Sequence, residues 1–303
     1  MASSLAWPLD AASTIATTGS FSFFHFCETH ITDQLDANHG CRMAFDAMRR
    51  IGADFAIAGG DLVYDVCAQG WKRAGELYSL YKEAEKHIEM PVYRVMGNHD
   101  VYGLFRESGV FESDPHFGKR LFEAEIGPRH YSFTHKGWLF IVLDSIGITP
   151  ERQYTGIVDA EQLAWLRREL ELAGRTAPVV VISHMPLFTA YMQYGSLTQV
   201  LARDALVVTN ATEVAAILDG YNVKAVLQGH IHVREVIDNN KGCRYITSGA
   251  VCGNWWRGPR DGHPEGFARI TISGGNLHWQ YYTYGFHSIA GSDQTPSIVN
   301  QPR

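Results

Sequence analysis

Seven side chains of types that bind metal ions stand at or near the ends of apolar runs along the chain: Glu28, His30, Asp61, Asn98, His184, His230 and His232. Together they offer carboxylates, an amide and imidazoles. That donor set suits Zn(II), Mn(II) or iron, and neither a thiolate cluster nor an all-oxygen cage accompanies it. Two carboxylates against two divalent ions leave a net charge of about +2, lowered to about +1 by a bound hydroxide, and such a site attracts phosphate esters. Cations roughly 3.5–4 Å apart lower the pKa of a bridging water toward ~7 and hold the attacking and leaving oxygens of an in-line displacement. One carboxylate has to bridge them, and Asp61 is the candidate. His99 follows Asn98 directly and is the candidate general acid for the leaving alkoxide, with Asp65 or Asp100 to orient it.

The elements that must position these groups are legible from periodicity. Phe21 to Cys27 reads as a buried strand delivering Glu28 and His30 on a loop. Met43, Ala44, Ala47, Met48 and Ile51 recur at helical spacing, and Asp54 to Ala58 returns as a strand into Asp61. A helix over Gly75 to Ile88 and a strand over Pro91 to Met96 then lead to Asn98 and His99. Such β-α-β units gather ligands at the carboxyl ends of their strands, where helix N-termini also point. From Val101 to His130 the periodicity breaks down, which reads as a cap-like insertion over the site, about 101–130.

Regularity resumes with a hairpin over Tyr131 to His135 and Gly137 to Leu143, then a helix N-capped by Asp159, with Gln162 completing a capping box. A strand over Ala177 to Ser183 ends at His184. A helix over Thr212 to Leu218 and a strand over Val223 to Leu227 lead to His230 and His232. Asp238 to Gly242 reads as a hairpin turn, and two further strands lie around Phe267 to Ile272 and Leu277 to Thr283. The first half alternates strand with helix and the second is richer in adjacent strands, so two mixed sheets with helices outside are expected. The domain spans 21–287, between a flexible segment 1–20 and a tail 288–303.

Composition narrows the function classes. With 303 residues, 46% hydrophobic and 19% charged, the chain is ordinary for a globular domain, and no run approaches the ~18 apolar residues of a membrane span. A formal charge of −6 argues against a nucleic-acid surface. Cys27, Cys41, Cys67, Cys243 and Cys252 form no CxxC pair and no even set, which favours reduced thiols over a disulfide framework. Residues 1–20 lack the basic start and continuous apolar core of a signal peptide, so a cytoplasmic location is expected, or a periplasmic or exported one if a leader was removed. No heptad or exposed apolar helix pattern assigns an oligomeric state.

A lone Gly-His-x-His is a weak signal. Taken in order with Glu28-Thr29-His30, Gly60-Asp61, Gly97-Asn98-His99-Asp100 and Ser183-His184, the segment Gly229-His230-Ile231-His232 resembles the motifs of the calcineurin-like metallophosphoesterases, over about Phe21 to Gly285. That superfamily includes glycerophosphodiesterases, class III cyclic-nucleotide phosphodiesterases and purple acid phosphatases. The resemblance implies a four-layer α/β/β/α sandwich and two divalent or mixed-valence ions (Mn, Fe or Zn). It places Glu28, His30, Asp61 and His232 on one ion, and Asp61, Asn98, His184 and His230 on the other. The implied substrate is a small-molecule or lipid phosphate ester, diester or monoester. Glu28 departs from the family's usual Asp, which motivates an alternative reading as a metal- or phosphate-binding protein with impaired catalysis. Tyr64 matches the spacing of the iron-binding tyrosine of purple acid phosphatases, but those enzymes lack the histidine that His30 supplies, so a packed tyrosine is expected. Beyond the motifs, His116, Arg129 and Tyr131 around the insertion, and Trp255, Arg257 and His263 in a Gly-rich loop, are candidate substrate contacts with rim packing as the competing role. His25, His39, His87 and His135 read as surface or core histidines.

Overall fold

The structure, a computed structural model, describes residues 19–290 apart from positions 200 and 240. The segment 1–18 and the tail beyond 290 lie outside the described residues. The order is β1 (Phe21–Phe26), α1 (Ala37–Ile51), β2 (Phe55–Ala58), α2 (Trp71–Glu85), β3 (Val92–Arg94), α3 (Arg120–Glu125), β4 (Tyr131–His135), β5 (Trp138–Leu143), β6 (Ile146–Ile148) and β7 (Tyr154–Gly156). There follow α4 (Ala160–Ala173), β8 (Val179–Ser183), α5 (Ala211–Leu218), β9 (Val223–Gln228), β10 (Arg234–Asp238), β11 (Arg244–Ser248), β12 (Phe267–Ser273) and β13 (Asn276–Tyr282).

Two mixed sheets carry the domain, one ordered β13-β12-β1-β2-β3 and the other β10-β11-β9-β8-β5-β4. In the first, β1, β2 and β3 run parallel. In the second, β5, β8, β9 and β11 do. Because strand residues alternate faces, Phe21, Phe23, Phe55 and Ile57 of one sheet enter the same apolar layer as Phe140, Val142, Val180, Ile182 and Leu227 of the other. Phe23 stacks on Phe55 with centroids 4.9 Å apart, and both meet Phe140 edge-on at 5.4 Å. The opposite faces, with Phe24, Phe26, Ile141 and Val181, pack under helices through Phe45, Met48, Leu77, Leu166, Leu170 and Val214. The layers run helix, sheet, sheet, helix, the sandwich expected from the sequence.

Helix starts differ from the periodicity. The second helix begins at Trp71 rather than Gly75; its first turn opens with the exposed Trp71 and Lys72 and buries only the small Ala74, a weak mark in the periodicity. Asp159 does cap α4, its carboxylate accepting from Gln162 N at 2.9 Å. The capping box, however, does not close. The buried Gln162 side chain instead accepts from Asp144 N at 2.9 Å and donates to Asp144 O at 3.0 Å, tying α4 to the end of β5. The turn after β10 forms as read, with Asn239 N donating to Cys243 O at 3.0 Å.

Within 101–130, Val101, Tyr102, Leu104, Leu121 and Phe122 are buried in the helix-side core, and Arg152 Nε donates to Leu104 O at 2.8 Å. A second long connection, between β8 and α5, has no counterpart in the periodicity. Its Tyr191, Leu206 and Val207 pack with Ile231 and Val233 in a small core beside the His230–His232 loop. All five cysteines are free and buried. No helix among the described residues is long and apolar enough to cross a membrane.

Candidate metal centre

The loops that follow β1, β2, β3, β8 and β9 bring all seven candidate ligands to one edge of the sandwich. Parallel strands force this, since their carboxyl ends face the same way. Glu28, His30, Asp61, His230 and His232 have positive φ, between +37° and +70°. Non-glycine residues enter that region at a cost, and they concentrate where a site over-determines the backbone. Gly97 is required where the third loop meets the second: a Cβ there would lie 2.1 Å from Asp61 Oδ1 and 2.2 Å from Asp61 N.

Ligating atoms of Glu28, His30 and Asp61 lie within 4.8 Å of one another, and so do those of Asp61, His184 and His230. Asp61 belongs to both groups. Its Oδ2 lies 3.6 Å from His30 Nε2 and 3.4 Å from His184 Nε2, while its Oδ1 accepts from His99 N at 2.8 Å. Glu28 Oε2 faces His30 Nε2 and His232 Nε2, each at 3.2 Å. Glu28 Oε1 accepts from His230 N at 2.5 Å. This arrangement has room for the glutamate arm because residue 229 is glycine; a Cβ there would lie 2.8 Å from Glu28 Oε1.

Each imidazole is held at its outer nitrogen by a backbone carbonyl. His30 Nδ1 donates to Tyr64 O at 3.1 Å, His184 Nδ1 to Gly59 O at 2.9 Å, His230 Nε2 to Ala205 O at 2.8 Å and His232 Nδ1 to Gly253 O at 2.5 Å. Such a bond fixes the tautomer and leaves the opposite nitrogen as the ligand atom. For His230 that nitrogen, Nδ1, is buried and lacks a hydrogen-bond partner among the described residues, as does Asn98 Nδ2. Asn98 Oδ1 lies 3.1 Å from His184 Nε2, so the amide oxygen already faces the other candidate ligands. Shared carboxylate, fixed tautomers and the orphaned Nδ1 of His230 fit a pair of cations.

The electrostatics point the same way. Burial disfavours a charged His184, but Asp61 and Glu28 outweigh it and push its pKa up to about 10. Burial likewise opposes ionisation of Glu28, yet His184, with His232 and His30, brings it down to about 2. Burial, then His184, lowers His230 to about 4. A proton on His184 therefore does for the two carboxylates part of what a cation would do.

His99 Nδ1 lies 3.3 Å from Asp65 Oδ1. Asp61 and Asp65 overcome its burial and raise it to about 9. Asp100 does not orient it. Its carboxylate accepts from Leu62 N at 3.0 Å, Val63 N at 3.3 Å and Gly97 N at 2.9 Å, and so staples the second ligand loop to the third. Burial and Asp61 raise Asp100 to about 7.

The candidate substrate contacts divide. The Trp255 ring lies 3.8 Å from that of His30 and 4.8 Å from that of His99, and Arg257 Nη1 donates to Trp255 O at 3.2 Å. His116 packs on Trp71 at 4.4 Å and pairs with Asp114. Arg129 pairs with the buried Asp144 at 2.6 Å and with Glu123 at 2.9 Å. Tyr131 donates to Arg94 O at 3.0 Å, and His263 Nδ1 accepts from Arg234 N at 3.2 Å. The contacts of His116, Arg129 and Tyr131 tie them to other parts of the fold, whereas that of His263 holds it beside the His230–His232 loop. Tyr64 serves His30 through its carbonyl, and its ring packs on Trp255 at 5.1 Å. Sequence reasoning missed the carbonyls of Gly59, Ala205 and Gly253, which no side-chain signal could mark. It also missed Tyr154, whose ring lies 6.3 Å from His230 and 6.5 Å from His99.

Residues 29–234 match the family described as calcineurin-like phosphoesterase, and the chain belongs to that family. Over 217 residues it is 29% identical to a probable cyclic nucleotide phosphodiesterase of Rhodococcus erythropolis, covering 69% of this chain and 64% of that protein. Over 270 residues it is 26% identical to tartrate-resistant acid phosphatase type 5 of Homo sapiens, covering 82% and 76%. A dimetal phosphatase from Danio rerio shares the fold with a TM-score of 0.63 at 16% identity, over 88% of this chain and 96% of that one. The chain spans 53% to 64% of the length of three curated relatives it matches.

Proposed function

We propose that this protein hydrolyses a phosphate ester, diester or monoester, at a two-cation centre. The observation that carries the reading is Asp61 Oδ2, which lies 3.6 Å from His30 Nε2 in one ligand group and 3.4 Å from His184 Nε2 in the other. Glu28, His30, Asp61 and His232 would hold one ion, and Asp61, Asn98, His184 and His230 its neighbour; the donor set suits Mn, Fe or Zn. When bound, the pair supplies Lewis acidity and a water activated toward ~7. His99, oriented through Nδ1 by Asp65, carries at Nε2 the proton for the leaving oxygen. The segment 101–130 follows His99 and Asp100 directly and is the candidate cap that limits substrate size. The relatives named as phosphodiesterase and phosphatase support this class of chemistry.

The second reading, a metal-binding protein without turnover, draws on Glu28 alone, and the paired anchoring of its two oxygens favours a ligand built for its place. Titrating metal-free protein with Mn(II) or Zn(II) tests the choice. Turnover of bis(p-nitrophenyl) phosphate or p-nitrophenyl phosphate that tracks metal content supports the enzyme. Full loading with two ions per chain and no turnover of these or natural esters would leave the binding protein.

A further inference from the structure

We propose that Trp255 is a specificity-determining residue that favours phosphate esters whose leaving group presents a flat aromatic or heteroaromatic face. The proposal rests on the phosphoesterase reading above and adds a substrate class to it.

Trp255 and Trp256 are consecutive bulky residues with φ of +55° and +64°. Side chains of that size rarely enter this region, and strain of this kind persists only where surrounding contacts impose it. Here the imposing contacts are those of Trp256. Its buried indole Nε1 donates to Thr29 O at 3.2 Å and His30 O at 3.0 Å, and its ring meets Phe286 at 5.0 Å. The loop after β11 is thereby fixed to the backbone of the first ligand loop. Trp255 is not buried like its neighbour but half-exposed. Its ring lies tilted by 31° over His30 and meets His99 edge-on, at 82°.

His99 hands its proton to the leaving oxygen, so the leaving group must lie beside this ring. A flat π-face gains there from stacking that an alkyl group of similar bulk does not. The strained backbone keeps the indole at the reacting edge instead of letting it turn into the core.

The test uses the full chain loaded with Mn(II) and three inert probes: phenyl-, cyclohexyl- and methylphosphonate, titrated calorimetrically. The wild-type protein is expected to bind the phenyl probe about fivefold more tightly than the cyclohexyl one, equivalent to roughly 1 kcal/mol. Trp255→Leu, which keeps bulk without a π-face, should bring that ratio near one, with metal content and melting temperature close to the parent's; Trp255→Phe should keep most of it. Trp255→Gly relieves the backbone strain and should lose the preference as Leu does, which separates a folding defect from loss of the ring. A wild-type ratio near one, or a ratio unchanged in Trp255→Leu, overturns the proposal. A preserved phenyl preference without turnover of any ester removes the enzyme reading and leaves the aromatic site standing.

Discussion

His99 and Glu28 are where single atoms decide the chemistry. With Nδ1 engaged by Asp65, His99 has one nitrogen left, the one the proposed mechanism turns to the leaving oxygen. His99→Asn should lower kcat about 10²–10⁴-fold on alkyl esters, whose leaving oxygen needs a proton, and far less on p-nitrophenyl esters, whose leaving group departs as an anion. Equal losses on both would argue against an acid. Glu28 divides its oxygens, one facing His30 and His232, the other on His230 N. An aspartate is one methylene shorter and cannot serve both. Although the family's usual residue is Asp, Glu28→Asp should therefore weaken the first ion about 10–100-fold, read as metal retained after dialysis. Tighter binding in the variant would mark Glu28 as a defect.

At the scale of elements, the site depends on loops pressed against one another at strand ends. Asp100 and Gly97 join two of them: the carboxylate spans both loops, and the glycine leaves Asp61 its space. Gly97→Ala should cost on the order of 1–3 kcal/mol, because its methyl meets the Asp61 backbone nitrogen as well as the Asp61 carboxylate, which is itself held by the site. Urea midpoints and metal content measured together check this, and an unchanged midpoint would mean that the loops yield easily. Strand and helix existence was legible here because β1 and β5, buried on both faces, read as predominantly apolar runs, while α1 carries an apolar stripe at helical spacing. Helix starts were not, since a first turn such as that of α2, with Trp71 and Lys72 exposed and only Ala74 buried, adds little to the stripe.

Across the whole molecule, folding and site assembly are one event, because the candidate ligands come from both sheets. Cations that bind the proposed site and not the unfolded chain would add RT ln(1 + [L]/Kd) of stability, about 2.7 kcal/mol where the ion stands at 100 times its Kd, and stripping them should remove it. Melting temperature with and without chelator is the measurement. Behind the site, His25 is buried between Ser248 Oγ at 2.6 Å and Cys27 Sγ at 3.4 Å, and burial lowers its pKa from 6.5 to about 3. Its folded form stays neutral where the unfolded chain would take a proton. Its contribution is thus complete above pH 6.5 and is lost as pH falls toward 3. In His25→Gln the fall in urea midpoint between those limits should be shallower; an identical slope would assign the acid sensitivity elsewhere.

The sequence by itself determined the inventory and its order: which donors exist, that each follows a strand, and hence that they share an edge. This much is local, since apolar period and the glycine or polar residue that ends it are written in adjacent positions. Tertiary structure alone decided the rest. Asp65 rather than Asp100 faces His99, Gln162 joins Asp144 instead of closing its cap, and Trp255 stands on His30 although they are 225 positions apart in the chain. The ligand nitrogen of each histidine was likewise set by carbonyls of Gly59, Tyr64, Ala205 and Gly253. Every residue carries the same carbonyl, so residue type cannot reveal which one will meet an imidazole; only the packing of distant loops against one another does.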